Sequence, residues 1–262
     1  MAKAERGMVT FVNPLKTKLA NGGAAIGTMV TMPSPHLMQL FAASGFDWLL
    51  IDREHGAIGA ETMQAMINAT TGSGATPLVR VPEDELWMVK TALDAGALGV
   101  FFPFIINAGQ ASAAVASTFY PPKGKRGFGP FYAPSRLGLS MGEYAALADD
   151  AMLRVMMIEH ADAIENVDEI MQVPGIDVAF IAPFDLSQSL GVAGEFEHPK
   201  FLKAVETAER AILASPAKLG GLAPTPEKGR TMLDHGYRFL MMAFDGLIIE
   251  GAAKNWLDGL AD

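Results

Sequence analysis

WLLIDREH, residues 48–55, is an apolar run of strand length that breaks off into four polar residues capable of chemistry. The design recurs: TPLV leads to Arg80, RVMMI to Glu159 and VAFIAPF to Asp185. Eight such runs can be marked, AAIGTMV (24–30), WLLID (48–52), TPLVRV (76–81), GVFFPFI (99–105), RVMMIE (154–159), VAFIAP (178–183), KLGGLAP (218–224) and RFLMMAF (238–244). Each is rich in Val, Ile, Leu, Met or Phe and is followed by a helical pattern, the mark of repeated βα units around a buried parallel sheet. Eight repeats predict an α/β fold, a closed (β/α)8 TIM barrel that takes in residues 1–262 as one domain. In that fold the carboxyl ends of the strands converge on one pocket, so the polar residues that follow the runs would meet there.

The intervening segments carry helix signals. Ser34-Pro35 precedes HLMQLFAASG and Thr225-Pro226 precedes EKGRTMLDHG, each a cap followed by proline and closed by glycine. LWMVKTALDAG follows the same rule. Residues 1–20, with Leu15 and Leu19, predict an extra helix covering the bottom of the barrel, and FDGLIIEGAAKNWLDGL predicts a final helix apolar on one face. The segment 121–143, PPKGKRGFGPFYAPSRLGLSMGE, is too long for an ordinary connection and carries Lys123, Lys125, Arg126 and Arg136. It is either a solvated excursion or a lid or subunit contact facing the active site.

Composition narrows the function. A net charge of -9 and a pI near 5.0 leave no basic field for nucleic acid or an anionic membrane, so small molecules are the expected partners. The absence of cysteine removes disulfides, thiolate nucleophiles and thiolate-held metals, so any metal must be held by O or N ligands. The amino terminus has no secretory pattern and no run reaches the roughly 20 apolar residues of a membrane span, which points to the cytoplasm.

Glu159 and Asp185 lie one βα unit apart, at the ends of adjacent strands, and two carboxylates with water or substrate oxygens suit Mg²⁺ or Mn²⁺. Each could equally cap the helix that follows it. Met157, two residues before Glu159, shares its inward face and is read as packing. Arg80 ends so apolar a run that it must find an anion, either a substrate carboxylate or enolate, or a resting ion pair with Glu159 or Asp52. His55 could relay protons or be structural, and Asp94 could orient it or be solvated. His36, His198 and His235 sit at helix ends, and His160 faces away from Glu159. No dinucleotide fingerprint, P-loop or serine-hydrolase elbow is present.

With these residues marked, the chain resembles the HpcH/HpaI aldolase family, metal-dependent class II pyruvate aldolases, from about residue 15 to 258. The resemblance is carried by GFDWLLIDREH (45–55), PLVRVP (77–82), LDAGA (93–97), YPPKGKRGFG (120–129), MIE (157–159) and APFDLSQSLG (182–191). It implies reversible cleavage of a 4-hydroxy-2-oxo acid to pyruvate and an aldehyde, with Mg²⁺, Mn²⁺ or Co²⁺ as cofactor. It implies Glu159 and Asp185 as metal ligands, Arg80 on the enolate oxygen, and His55 paired with Asp94 as the acid/base. Pro183, Phe184 and Asp185 would cradle the pyruvate carboxylate, and Asp52, Glu54 and Met157 would stand behind these groups. The implied assembly is a homo-hexamer, a trimer of dimers with exchanged C-terminal helices.

Three positions depart from the family pattern: Met157 where glutamine is common, Arg53 where a small residue is common, and Phe184 where the pattern has alanine. A second reading stays open. Citrate synthases of siderophore pathways are similar in fold and share the stretches MPSP (32–35) and IEH (158–160). They condense oxaloacetate with an acyl-CoA, and Arg53 and the basic 123–136 loop would then bind anions.

Overall fold

The structure, a computed structural model, describes residues 11–82 and 86–260, with Leu86 described by its backbone alone. Its strands are β1 (Ala25–Val30), β2 (Trp48–Asp52), β3 (Thr76–Arg80), β4 (Gly99–Phe102), β5 (Leu153–Ile158), β6 (Val178–Ile181), β7 (Lys218–Leu222) and β8 (Phe239–Phe244). All eight expected runs are strands. They pair in parallel in chain order, and β8 closes on β1 to complete the barrel.

The helices are α1 (Pro14–Ala20), α2 (Pro35–Ala43), α3 (Ala60–Ala69), α4 (Leu86–Asp94), α5 (Ala108–Thr118), α6 (Ala133–Leu137), α7 (Met141–Ala151), α8 (Ala161–Glu165), α9 (Val167–Met171), α10 (Pro183–Ser189), α11 (Pro199–Leu213), α12 (Pro226–Asp234) and α13 (Asp245–Asp258). The caps read from the sequence are made: Ser34 Oγ accepts from Leu37 N at 3.2 Å, and Thr225 Oγ1 accepts from Lys228 N at 3.2 Å.

Strand alternation builds two nested cores. Leu49, Ile51, Val79, Met156 and Ile158 face the helices, while Trp48, Leu50, Leu78, Val155 and Met157 face the barrel axis. The axis is packed with rings: Trp48 stacks on Phe239 with centroids 4.3 Å apart, and Phe101 contacts Trp48, Phe180 and Phe239. Gly27 makes room for this stack, because a Cβ there would collide with the Trp48 indole. Continuing the inward parity by two residues carries Leu50 to Asp52, Leu78 to Arg80 and Met157 to Glu159. The hydrophobic pattern that fills the barrel therefore also aims the polar groups at its upper rim.

The lower end is closed. Leu15 and Leu19 of α1 join the axial core, and Asn13 caps α1 while donating to Leu98 O at 3.1 Å and Ala151 O at 2.8 Å. This is the expected bottom cover; residues 1–10 of the predicted helix lie outside the described residues. No helix among the described residues is long and apolar enough to cross a membrane.

Candidate active site

Asp52 and Arg80 form the centre of the upper rim. The neighbouring register of β2 and β3 sets them side by side. Arg80 Nε and Nη2 each donate to one carboxylate oxygen of Asp52 at 2.8 Å, a bidentate clasp between an acid that is 0% exposed and a guanidinium that is 6% exposed. Burial alone would push the Asp52 pKa up. The Arg80 hydrogen bonds and charge, with the Glu54 and His55 amides, outweigh it and hold the acid below its usual range. Burial likewise works against the Arg80 cation, but Asp52, Glu54 and Glu159 keep it charged, with a pKa above normal. Of the alternatives for Arg80, the resting ion pair with Asp52 is present.

Asp52 also shapes the turn that follows. Its Oδ1 accepts from Glu54 N at 3.0 Å, folding the chain so that Glu54 returns to within 3.1 Å of Arg80 Nε. Gly56 lets the turn lie flat, since a Cβ there would strike the Asp52 carbonyl. His55 stands at the mouth with its side chain 66% exposed and its Nε2 3.9 Å from Glu54 Oε2. Arg53 turns away, its Nε donating to Ile58 O at 3.2 Å within its own loop.

Glu159 is 2% exposed and accepts one short bond, from Phe104 N at 2.7 Å. Phe104 reaches it by taking a left-handed backbone, φ 52°, unusual for a residue with a Cβ. Burial raises the Glu159 pKa first; the Phe104 amide and Arg80 oppose this, the charges of Asp185 and Glu54 reinforce it, and the result is about 7. Glu54 is also raised, by burial and by the charges of Asp52 and Asp185 against Arg80 and His55. Asp185 sits in the first turn of α10, where no side chain caps the helix. Phe184 beside it is 61% exposed, and Met157 is packed in the axial core at 3% exposure, as expected.

Four carboxylates, Asp52, Glu54, Glu159 and Asp185, thus share one rim with one guanidinium. That excess of negative charge, with Glu159 driven toward its protonated form, fits a resident divalent cation. Of these four, Glu159 and Asp185 have no cationic hydrogen-bond partner among the described residues. Among the described residues no cluster of three His, Asp or Glu forms a closed metal site, so further ligand positions would fall to water or substrate oxygens.

The structure does not bring Asp94 to His55 within the chain. Asp94 ends α4, and the segment after it leads to Leu98, whose carbonyl binds Asn13 of the bottom plug. The Asp94 carboxylate accepts from Arg126 Nη2 at 2.7 Å, and Arg126, 0% exposed, donates also to the Tyr144 hydroxyl. A helix after a barrel strand runs back down, so its last residue lies at the end opposite the strand tips. The 121–143 segment belongs there too, with Lys125 N and Arg126 N bound to Ala116 O and Phe119 O at the lower end of α5. It is no lid over this chain's own site, and it contains α6 and the start of α7 rather than being irregular throughout. His160 and His198 cap α8 and α11, as their positions at helix starts imply.

A closed parallel barrel with ionisable groups collected at its strand tips defines a TIM-barrel enzyme. Residues 26–250 match the HpcH/HpaI aldolase/citrate lyase family, and the chain belongs to it. It is 36% identical over 242 residues to a hydroxypyruvate/pyruvate aldolase of Cupriavidus necator, covering 92% of this chain and 90% of that one. It is 33% identical to a 2-keto-3-deoxy-L-rhamnonate aldolase of Escherichia coli O17:K52:H18, covering 92% and 91%. Among solved structures it superimposes with TM-score 0.90 on an HpcH/HpaI aldolase/citrate lyase family protein from Burkholderia cenocepacia J2315, at 28% identity and 96% and 100% coverage. The citrate synthase SbnG is also similar, with TM-score 0.84, 26% identity and 94% and 96% coverage.

Proposed function

We propose that the protein is a metal-dependent aldolase that reversibly cleaves a 4-hydroxy-2-oxo acid to pyruvate and an aldehyde. The observation that carries this reading is the buried Asp52–Arg80 clasp beside Glu159 and Asp185, two carboxylates with no cationic hydrogen-bond partner among the described residues. Mg²⁺, Mn²⁺ or Co²⁺ held by Glu159 and Asp185 would supply Lewis-acid polarisation of the keto acid. Arg80, fixed by Asp52 before substrate arrives, places a cation where negative charge grows on the enolate oxygen, and it needs no reorganisation to do so. The uncapped N–H groups at Phe184 and Asp185, with Pro183 setting the first turn of α10, take the donor carboxylate.

In cleavage the C4 hydroxyl gives up its proton, the C3–C4 bond breaks, and its electron pair passes to C3 as the pyruvate enolate. Proton return to C3 completes the pyruvate methyl. His55, exposed at the mouth with Nε2 3.9 Å from Glu54 Oε2, is the group placed to take and return that proton. The citrate synthase reading is less well supported. Arg53 is turned onto Ile58 O, and Arg126 and Arg136 are bound at the far end of the barrel, to Asp94 and to Thr70.

The proposed assembly is a homo-hexamer, a trimer of dimers with exchanged C-terminal helices. In α13 only Asp245 is buried and Ile248 packs against the core, while Leu247, Ile249, Trp256 and Leu257 are exposed, and a helix with so little of its apolar surface packed is marginal in water. A cytoplasmic location fits a chain with no cysteine.

The deciding experiment is proton–deuterium exchange at the pyruvate methyl, followed by NMR on EDTA-treated protein with and without Mg²⁺, Mn²⁺ or Co²⁺. Exchange dependent on metal is the expected result; no exchange under any condition would overturn the reading.

A further inference from the structure

The two residues adjoining the proposed metal ligands are both exposed phenylalanines. Phe184 directly precedes Asp185 and is 61% exposed; Phe104 gives its N–H to Glu159 and is 48% exposed. The Phe184 ring stands edge-on to Phe196 with centroids 5.3 Å apart, and Phe196 rests in turn on buried Phe201 at 5.5 Å. For Phe104 the left-handed φ that accompanies its N–H bond to Glu159 sets the direction in which its Cβ leaves the backbone.

The polar side chains of the same rim are largely used within their own loops. Asn107 Oδ1 caps Gln110 N, Gln110 Oε1 accepts from Ile106 N, and Asn166 Nδ2 donates to Ile106 O. His160 Nδ1 caps Asp162 N, and Thr31 Oγ1 donates to Asp245. A polyhydroxylated aldehyde entering beside the metal ligands would lose water from its hydroxyls and meet rings in return. An unmatched buried hydroxyl is penalised.

From this we infer that Phe104 and Phe184 form the acceptor side of the site and select aldehydes with an apolar, planar body over polyhydroxylated ones. The inference rests on the pyruvate aldolase reading and deepens it by naming the acceptor class. The two curated aldolases above carry names that differ in the carbon skeleton handled, so the family alone leaves the acceptor open.

The test condenses pyruvate with benzaldehyde and with glyceraldehyde in separate reactions of the metal-loaded protein and compares kcat/KM. Benzaldehyde is expected to be preferred by about tenfold or more, about what one well-fitted ring contact supplies. Phe184→Ala should lower that ratio about tenfold, and Phe184→Leu, which keeps an apolar surface, by about threefold. Phe104→Gly removes the second ring while remaining at ease at a positive φ, and should also lower the ratio. Because the readout is a ratio between two acceptors on one protein, a general loss of rate leaves it unmoved. A native preference for glyceraldehyde, or ratios that stay within twofold in both Phe184→Ala and Phe104→Gly, would overturn the inference. Pyruvate methyl exchange on the same native preparation separates the two failures: exchange without aromatic preference refutes the acceptor assignment alone, and absence of exchange refutes the aldolase reading and this inference with it.

Discussion

Replacing Arg80 with alanine should separate three quantities that a merely structural arginine would move together. The wild-type side chain makes two charge-assisted bonds of 2.8 Å to a fully buried acid. Its removal strands Asp52 beside Glu54, at a cost of about 3–5 kcal/mol for a buried charge left unpaired. In a chain of this size that corresponds to a fall in Tm of roughly 10 °C. The chemical step loses a preorganised donor at the site of developing charge, worth on the order of 10²–10³ in rate. Divalent cation binding should hold or tighten, because one positive charge has left a rim with four carboxylates. The assays are thermal unfolding, methyl exchange of pyruvate with saturating Mn²⁺, and calorimetric titration of Mn²⁺. The double variant with Asp52→Ala removes both partners and should recover much of the stability, since neither group is left unpaired, while exchange stays low. A folded Arg80→Ala protein that binds Mn²⁺ and exchanges at the wild-type rate would refute the role given to the guanidinium.

Glu159 titrates near 7 in the metal-free fold against about 4.5 unfolded, so its contribution to stability is fully present below pH 4.5 and lost as pH rises through 7. The span amounts to about 3 kcal/mol, and the metal-free Tm should fall between pH 5 and 8. The lowered Asp52 acts in a separate window at lower pH, its stabilisation lost only as pH falls through its depressed folded value. Glu159→Gln, which can keep the Phe104 N–H bond, should flatten the profile and weaken cation binding; an unaltered slope would count against the assignment. Asp245, 0% exposed, accepts from Thr31 N, Thr31 Oγ1, Met32 N and Gly246 N, so Asp245→Ala should cost about 3 kcal/mol in denaturant unfolding, and a loss below about 1 kcal/mol would refute its role as a latch. Deleting residues 249–262 should reduce the particle mass seen by light scattering while far-ultraviolet dichroism of the barrel persists; a monomeric wild type would exclude helix exchange.

The strands were legible because each is short, apolar and punctuated, and because period-two alternation forces Asp52, Arg80 and Glu159 inward once Leu50, Leu78 and Met157 are assigned to the axis. The separation of Asp94 from His55 within one chain was not legible, because family likeness says which residues matter and not which end of a barrel each occupies. Position at the end of α4 places Asp94 low, and its partner Arg126 lies 32 residues on, in a segment without periodicity. Phe104 carried no signal either, since nothing in FFPFI marks one phenylalanine for a left-handed backbone. That conformation is set by an acid 55 residues away. Asp245 was passed over as the start of the last helix, although an acid directly after an apolar strand is the same cue that marked Asp52.

The plug made by Leu15 and Leu19, with the rings of Trp48, Phe101 and Phe239 above it, turns the barrel into a blind well. Traffic in a blind well is last in, first out. An aldehyde held at the rim by Phe184 must depart before a keto acid seated on Arg80 can follow, and in synthesis it must arrive second. Cleavage should accordingly show pyruvate as a product inhibitor competitive with the hydroxy-keto acid and the aldehyde as a noncompetitive one. The reverse pattern would mean that the floor of the well is open.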